Sequence, residues 1–187
     1  MKILYISDHG PYSNTFIRQD VELISKNFDT LYICFEMEKG YDNKNIKTKL
    51  VKYPTDSLKS KLRWRLEKMN HFFNWSDKKF AQKLNEEINN FNPNIIHCQF
   101  SYESAKLLQN FKPITPVILN FRGYGASSKL QNKEYVSWLQ SIATRKNIYP
   151  IYVCEYLKKN LLENKINFTN DGMVLYIGIN QELFKRT

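Results

Sequence analysis

The sequence predicts an α/β domain built on a parallel sheet of about six to seven strands, with helices on both faces. Strand-like and helix-like segments alternate from Ile3 to Ile177, as expected of βαβ units. The opening run Ile3–Ser7 is apolar until its last residue, which is typical of a central parallel strand buried on both faces. A chain of 187 residues can bury one core but cannot hold two full domains. We therefore predict a single Rossmann-like domain over residues 1–187.

Each element follows from its local pattern. In the first helix Phe16, Ile17, Val21 and Ile24 recur at helical spacing, and Ser13, Asn14 or Thr15 is the predicted N-cap. Strands are predicted at Ile3–Ser7, Leu31–Phe35, Lys49–Tyr53, Asn94–Phe100, Pro116–Phe121, Ile151–Cys154 and Val174–Ile177. Further helices are predicted at Leu58–Phe73, Asp77–Phe91 (with Ser76 as its cap), Tyr102–Asn110, Glu134–Lys146 and Tyr156–Asn164.

The formal charge of +10 favours an anionic partner through long-range attraction. Nucleic acid, an anionic bilayer surface and a phosphorylated small molecule are all compatible with it, and so is a merely lysine-rich solvated surface. Lysine and arginine are spread along the chain and form no recognised nucleic-acid motif. We therefore expect no nucleic-acid partner.

The cysteines Cys34, Cys98 and Cys154 lie in strand-like runs, where a small thiol packs well in a core. They show no CxxC spacing and only three histidines accompany them, so we expect neither a disulfide framework nor a bound metal. The apolar start Met1–Ile6 is too short for a signal peptide, and no segment approaches the roughly 20 apolar residues of a membrane span. These features predict a cytoplasmic protein.

In parallel sheets ligands gather beyond the carboxyl ends of the strands. This rule selects the segments Ser7–Thr15, Phe35–Glu38, Gln99–Glu103, Arg122–Ser128 and Gly178–Gln181. The first is a strand-to-helix turn, where free N–H groups and the helix dipole attract phosphate. It holds one glycine, Gly10, and no GxGxxG pattern, which argues against a dinucleotide site.

Four segments, in order, resemble the N-terminal half of glycosyltransferase family 4, whose members have the two-domain GT-B fold. Asn14–Leu23 (NTFIRQDVEL) is similar to the E-T-F-I-x-x-E-I-x-x-L opening helix of members that build capsular and exopolysaccharides. Ile95–Phe100 (IIHCQF) resembles the strand end I-H-A-H-F, and Pro116–Gly125 (PVILNFRGYG) lies where F-H-G-x-D is usual. The fourth joins Val153–Leu162 to Val174–Phe184 and resembles V-S-x-x-L-x-x-x-L followed by G-(I/V)-D-x-x-x-F.

Three departures from the family pattern affect the expected site. Arg122 stands where the family usually has histidine, Gly125 where it has aspartate, and Asn180 where it has aspartate. A guanidinium is a permanently charged planar fork suited to phosphate or carboxylate. The donor sugar, or the contact made to it, is therefore expected to differ from the family norm.

The resemblance implies transfer of a sugar from a nucleotide-sugar to a glycan or lipid-linked acceptor, with retention of configuration and without a metal. It places the donor mainly on a C-terminal domain, which residues 1–187 do not contain, so this half would bind no cofactor and be inactive alone. The catalytic residue stays unassigned. The substrate-binding residues expected in this half are Gly10, Asn14, Thr15, His97, Gln99, Arg122, Gly123, Tyr124, Glu155 and Asn180.

Several of these positions also have a purely structural interpretation. The Gly10–Thr15 turn would face the donor diphosphate, or be an ordinary capped connection. His97 would line the cleft, or be a satisfied core histidine. Glu155 would orient or deprotonate an acceptor hydroxyl, or cap the helix beginning at Tyr156.

The predicted helix Leu58–Phe73 carries an apolar stripe of Leu58, Leu62, Leu66, Met69 and Phe73 at 100° spacing, which is expected to face the core. The opposite side carries Lys61, Trp64, Lys68 and His71, with Trp75 beyond. Tryptophan among cations suits the interface of an anionic bilayer. We therefore expect peripheral contact with the inner face of the plasma membrane, the alternative being that Trp64 and Trp75 pack on the neighbouring helix.

A different class also fits the pattern, namely a stand-alone flavodoxin-like or regulatory α/β binding domain that is complete at Thr187. It predicts a stop codon at that point. The glycosyltransferase interpretation predicts an open frame for another domain of about 150 residues or more.

The membrane hypothesis is tested by the double variant Trp64→Ala/Lys68→Glu. Each cation near an anionic surface contributes about 1 kcal/mol, so the variant should bind anionic vesicles at least several-fold more weakly than the wild type in co-sedimentation. Neutral vesicles are the control. Equal sedimentation of both proteins with anionic vesicles would contradict the hypothesis.

Overall fold

The computed structural model describes residues 1–10, 15–37, 46–52, 62, 75–176 and 178. The described strands form one seven-stranded sheet in which all neighbours are parallel. The strands are β1 Lys2–His9, β2 Asp29–Glu36, β3 Thr48–Leu50, β4 Ile95–Cys98, β5 Val117–Phe121, β6 Ile148–Tyr152 and β7 Met173–Val174. The helices are α1 Thr15–Ser25, α2 Trp75–Phe91, α3 Ser101–Asn110, α4 Lys133–Ala143 and α5 Glu155–Glu163, with 3₁₀ turns at Tyr124–Ala126 and Ser128–Gln131. The predicted α/β fold is confirmed.

The strand order is β3-β2-β1-β4-β5-β6-β7. The chain therefore builds outward from β1 in one direction and then returns to build outward from β4 in the other. Between β1 and β4 the connections that follow the strands diverge to opposite sides, which opens a crevice at their carboxyl ends. The topology thus selects the ends of β1 and β4 as a place for a ligand.

Two apolar cores lie on opposite faces of the sheet, because side chains alternate along each strand. On β1, Leu4 and Ile6 join the larger core with Leu84 of α2 and Leu139 of α4. Ile3 and Tyr5 point to the other face and pack in the smaller core, which contains Ile17 and Val21 of α1 together with Tyr32 and Cys34 of β2. Both faces of the central strands are therefore buried, as their continuous apolar runs predicted.

The largest error in the predicted strands concerns β6. The strand was predicted at Ile151–Cys154, which leaves out Pro150, a residue that donates no ladder hydrogen bond and is found mainly at sheet edges. It spans Ile148–Tyr152, with Pro150 paired to Leu119 of β5. A proline is tolerated inside β6 because β7 pairs only with Ile151 and Tyr152. Among the described residues, Pro150 therefore has no ladder partner on its β7 side.

Two predicted helix caps were wrong by one or two residues. Trp75 is already helical, so Ser76 lies inside the first turn of α2 and does not cap it. Helix α5 begins at Glu155 with Cys154 as its N-cap, and no side-chain cap bond is formed. Glu155 is therefore the first helical residue, and the alternative in which it caps the helix is incorrect.

Cys34 and Cys98 are buried free thiols, as predicted, and Cys154 is a partly buried free thiol.

Most of the predicted helix Leu58–Phe73 lies outside the described residues. Its described member, Leu62, is 62% exposed, which contradicts the core position expected of it. Among the described helices, none has the length and apolarity needed to cross a bilayer.

Candidate functional site: a cavity at the ends of β4 and β5

A buried polar cluster lies on the α1 face of the sheet, beyond the carboxyl ends of β4 and β5. His97 and Gln99 are two residues apart, as are Asn120 and Arg122, so each pair points to the same face. The structure brings them together: Asn120 Nδ2 lies 3.4 Å from His97 Nε2, and Arg122 Nη2 donates to Gln99 Oε1 at 2.9 Å. Three predicted site residues, His97, Gln99 and Arg122, therefore meet in one place.

Arg122 joins this cluster to helix α1. Its Nη2 also donates to Asp20 Oδ2 at 2.8 Å, forming an ion pair in which the arginine side chain is 6% exposed and the aspartate 50%. The guanidinium fork, predicted to suit a phosphate or carboxylate, thus already engages a carboxylate of the chain itself. Asp20 lies 102 positions away along the chain, and the sequence had indicated only its place on a helix.

His97 is held as a neutral imidazole. Burial, followed by the nearby charge of Arg122, lowers the pKa of His97 to about 3. Its ring also packs on Tyr5, with the ring centroids 5.1 Å apart. At neutral pH His97 therefore offers a neutral hydrogen-bonding nitrogen and no charge to this cluster.

A cavity of about 290 Å³ opens beside the cluster. The residues around it come from the start of α3 and from the turn after β5, and they are Phe100, Ser101, Tyr102, Arg122, Gly123, Tyr124 and Gly125. Arg122, Gly123 and Tyr124, which were predicted as substrate-binding residues, are among the residues that line this cavity. Phe100, Ser101 and Tyr102 were not singled out, although Gln99–Glu103 had been selected as a strand-end segment.

Two glycines shape the turn that forms one wall. Gly123 has φ +140° with open space around it, a backbone conformation that other residues rarely adopt. Gly125 is limited by space instead, because an added Cβ would collide with Ser101 Oγ and approach Tyr135 Oη to 3.0 Å. Tyr135 Oη donates to the Gly125 carbonyl at 2.7 Å and lies 3.2 Å from Ser101 Oγ. The aspartate usual at this point in the resembling family has no room here.

A pair of carboxyl groups lies at the end of β1, on the crevice between β1 and β4. The Asp8 backbone N–H donates to Glu103 Oε2 at 3.1 Å. Burial and then a hydrogen bond with the Asp8 side chain raise the pKa of Glu103 to about 9, so Glu103 is protonated at neutral pH. Neither residue was predicted individually, but both fall in the strand-end segments selected from the sequence.

The other predicted residues lie elsewhere or outside the described part of the chain. Gly10 is buried at the end of β1, and Glu155 is exposed at the start of α5. Thr15 and Trp75 begin α1 and α2, and only their backbones are described. The remaining predicted residues fall outside the described ranges: Asn14, Lys61, Trp64, Lys68, His71 and Asn180. Within those ranges no group of three or more His, Cys, Asp or Glu is placed to hold a metal ion.

No protein-family model matches the chain, and no curated protein matches it. Solved structures do match. HepE from Anabaena in complex with UDP-glucose superposes with a TM-score of 0.66 at 11% identity, over 100% of this chain and 46% of that one. Sucrose-phosphate synthase from Thermosynechococcus elongatus matches with a TM-score of 0.64 at 14% identity, over 100% and 50%. The lipopolysaccharide outer core galactosyltransferase WaaB matches with a TM-score of 0.59 at 13% identity, over 96% and 46%.

At these identities the likeness establishes the fold. The chain spans about half the length of these three structures. The cavity and the polar cluster lie within the part of the fold that is shared.

The tight packing at Gly125 predicts a specific pattern of stability. Gly125→Ala should lower the free energy of unfolding by roughly 1–3 kcal/mol through overpacking, and Ser101→Ala should restore part of the loss in the double variant. Gly123→Ala is the matched control, because its cost arises from backbone strain and should not be relieved by Ser101→Ala. Urea denaturation measures all the variants. Additive effects of Gly125→Ala and Ser101→Ala would contradict the packing.

The neutral Glu103 predicts a pH dependence. Its folded pKa, about 9, lies above its ordinary value of 4.5, so its contribution to stability is complete below about pH 4.5 and is lost as the pH rises towards 9. Glu103→Gln imitates the protonated acid and removes this loss. The variant should therefore gain stability over the wild type between pH 5 and 8, on the order of 1 kcal/mol or more.

In this comparison any effect of His97 cancels, because both proteins carry it. By itself, the depressed pKa of His97 makes stability fall as the pH drops from about 6.5 towards 3. Glu86→Gln, on the exposed face of α2, is the control. A difference between Glu103→Gln and wild type that does not change with pH would contradict a protonated Glu103.

Proposed function

We propose that the chain is the acceptor-side half of a retaining glycosyltransferase, which moves a sugar from a nucleotide-sugar to a glycan or lipid-linked acceptor in surface polysaccharide biosynthesis. The cavity between the start of α3 and the Arg122–Gly125 turn carries the proposal. It lies at the carboxyl ends of parallel strands, where this topology places ligands. Neighbours of the same fold include a UDP-glucose complex and a galactosyltransferase, which supports sugar transfer as the reaction.

In the proposed enzyme the two substrates are bound by different domains. A C-terminal domain would hold most of the nucleotide-sugar, and this half would bind the acceptor without a cofactor of its own. Charge developing on the leaving diphosphate would be stabilised without a metal, by basic side chains and helix N-termini. The turn from Gly10 to α1 is the part of this half that would face that diphosphate.

Arg122 has a positioning role in this scheme. Its guanidinium is held between Asp20 of α1 and Gln99 after β4, so it fixes the end of β5 and the turn that lines the cavity. It is largely neutralised by Asp20, and the cavity therefore suits an uncharged acceptor better than the departing diphosphate.

The proposed cellular setting is the cytoplasm, with peripheral contact to the inner face of the plasma membrane where lipid-linked acceptors are present. The net charge of +10 supports attraction to an anionic surface. The contact itself is assigned to Lys61, Trp64, Lys68, His71 and Trp75.

The proposal is tested with the protein encoded by the complete reading frame. We expect acceptor-dependent release of a nucleoside diphosphate from one of a panel of nucleotide-sugars, in the presence of a chelator. The anomeric proton of the product, observed by NMR, should show the same configuration as the donor sugar. Reactions lacking acceptor, and reactions lacking protein, are the controls.

Three results would contradict the proposal or a part of it. A stop codon directly after Thr187, together with no transfer, would favour the stand-alone binding domain. An inverted product would retain sugar transfer but exclude the retaining mechanism. Loss of activity in chelator, restored by a divalent cation, would contradict the metal-independent scheme.

A further inference from the structure

The cavity wall contains a series of three aromatic residues, two of which, Tyr102 and Phe100, also pack against the hydrophobic cores. Tyr124 is 53% exposed, and its ring meets that of Tyr102 edge to face, with centroids 5.2 Å apart at 79°. The Phe100 ring also contacts that of Tyr102, with centroids 5.6 Å apart. Both Tyr102 and Tyr124 line the cavity. The half-exposed Tyr124 ring therefore offers a stacking surface beside the cavity, next to the Lys129 ammonium.

Arg122 and Glu103, ionisable side chains beside the cavity wall, contribute little net charge there. Arg122 is paired with Asp20, and Glu103, in the first turn of α3, is protonated at neutral pH because burial raises its pKa to about 9. Lys129 lies over the Tyr124 ring, with its Nζ 5.9 Å from the ring centroid. This environment favours a neutral ligand that has one apolar face and several hydroxyl groups.

A pyranose ring has this chemistry. Its axial C–H groups form an apolar face that packs on an aromatic ring, and its equatorial hydroxyls point outward to hydrogen-bonding groups. The volume of about 290 Å³ lies at the lower end of the range for small-molecule pockets, roughly 300–1,000 Å³, so it suits a single ring. A nucleobase would also stack, but the diphosphate attached to it would meet an Arg122 guanidinium that is already paired with Asp20.

We infer that Tyr102 and Tyr124 form an aromatic clamp for one neutral pyranose ring of the acceptor, with Tyr124 as the stacking platform and Tyr102 as the perpendicular wall. The assignment of that ring to an acceptor rests on the proposed function. The clamp itself needs only residues of this chain.

The clamp is tested on the 187-residue chain by saturation-transfer-difference NMR with methyl glycosides of β-glucopyranose, β-galactopyranose and α-mannopyranose, and with UMP. Saturation should reach the ring C–H protons of at least one glycoside. Tyr124→Ala should weaken that binding roughly five- to tenfold, the loss of one aromatic contact, and Tyr124→Phe should retain most of it.

Tyr149→Ala is the matched control, because Tyr149 is 44% exposed on β6 and does not line the cavity. Circular dichroism verifies that each variant is folded, and Tyr102→Ala provides a second test of the clamp. The inference is overturned if no glycoside receives saturation, if Tyr149→Ala weakens binding as much as Tyr124→Ala, or if UMP alone binds in a Tyr124-dependent way.

The two proposals fail in different experiments. If the intact protein transfers no sugar but glycoside binding still depends on Tyr124, the proposed function is wrong and the clamp stands. If it transfers sugar and Tyr124→Ala leaves the acceptor KM unchanged, the clamp is wrong and the proposed function stands. The clamp predicts a KM increase of roughly five- to tenfold for that variant.

Discussion

The candidate site depends on the contacts of Arg122. One guanidinium nitrogen reaches both Asp20 of α1 and Gln99 at the end of β4, so a single side chain joins three elements at the edge where the cavity opens. The pair is asymmetric, because the arginine is nearly buried and the aspartate is half exposed. Exposed ion pairs contribute about 0–1 kcal/mol, whereas removing one partner of a buried pair costs about 3–5 kcal/mol. Arg122 lies nearer the second case, since loss of Asp20 would leave a buried cation.

The residues around Arg122 show which part of the site could be predicted from the sequence and which part could not. A period of two along β4 and β5 places His97 with Gln99, and Asn120 with Arg122, on one face of the sheet, and parallel pairing brings the ends of both strands together. These relations are local or topological. The partner on α1 is neither, because many polar residues of that helix could have met Arg122. Only the packing of α1 on the sheet selects Asp20.

Glu103 and Pro150 are two further residues whose behaviour depends on tertiary packing and could not be predicted from the local sequence. The pKa of Glu103 depends on how deeply the start of α3 lies against the end of β1, which no local pattern encodes. Pro150 lies inside β6 and is accommodated because β7 is only two residues long and leaves that side of β6 without a ladder partner at Pro150 among the described residues. In both cases the tertiary arrangement, and not the local sequence, determines the outcome.

The distribution of charge gives the cavity a different character from the whole chain. A net charge of +10 suggests an anionic ligand, but the cation in the cavity wall is matched by Asp20 and the carboxyl group in the first turn of α3 is protonated. What remains at the opening is aromatic surface, hydroxyl groups and a turn in which Gly125 keeps the backbone close to α3. The excess positive charge therefore acts over longer range, on an anionic surface that approaches the domain. Within the cavity, the inferred clamp would select its ligand by shape and stacking.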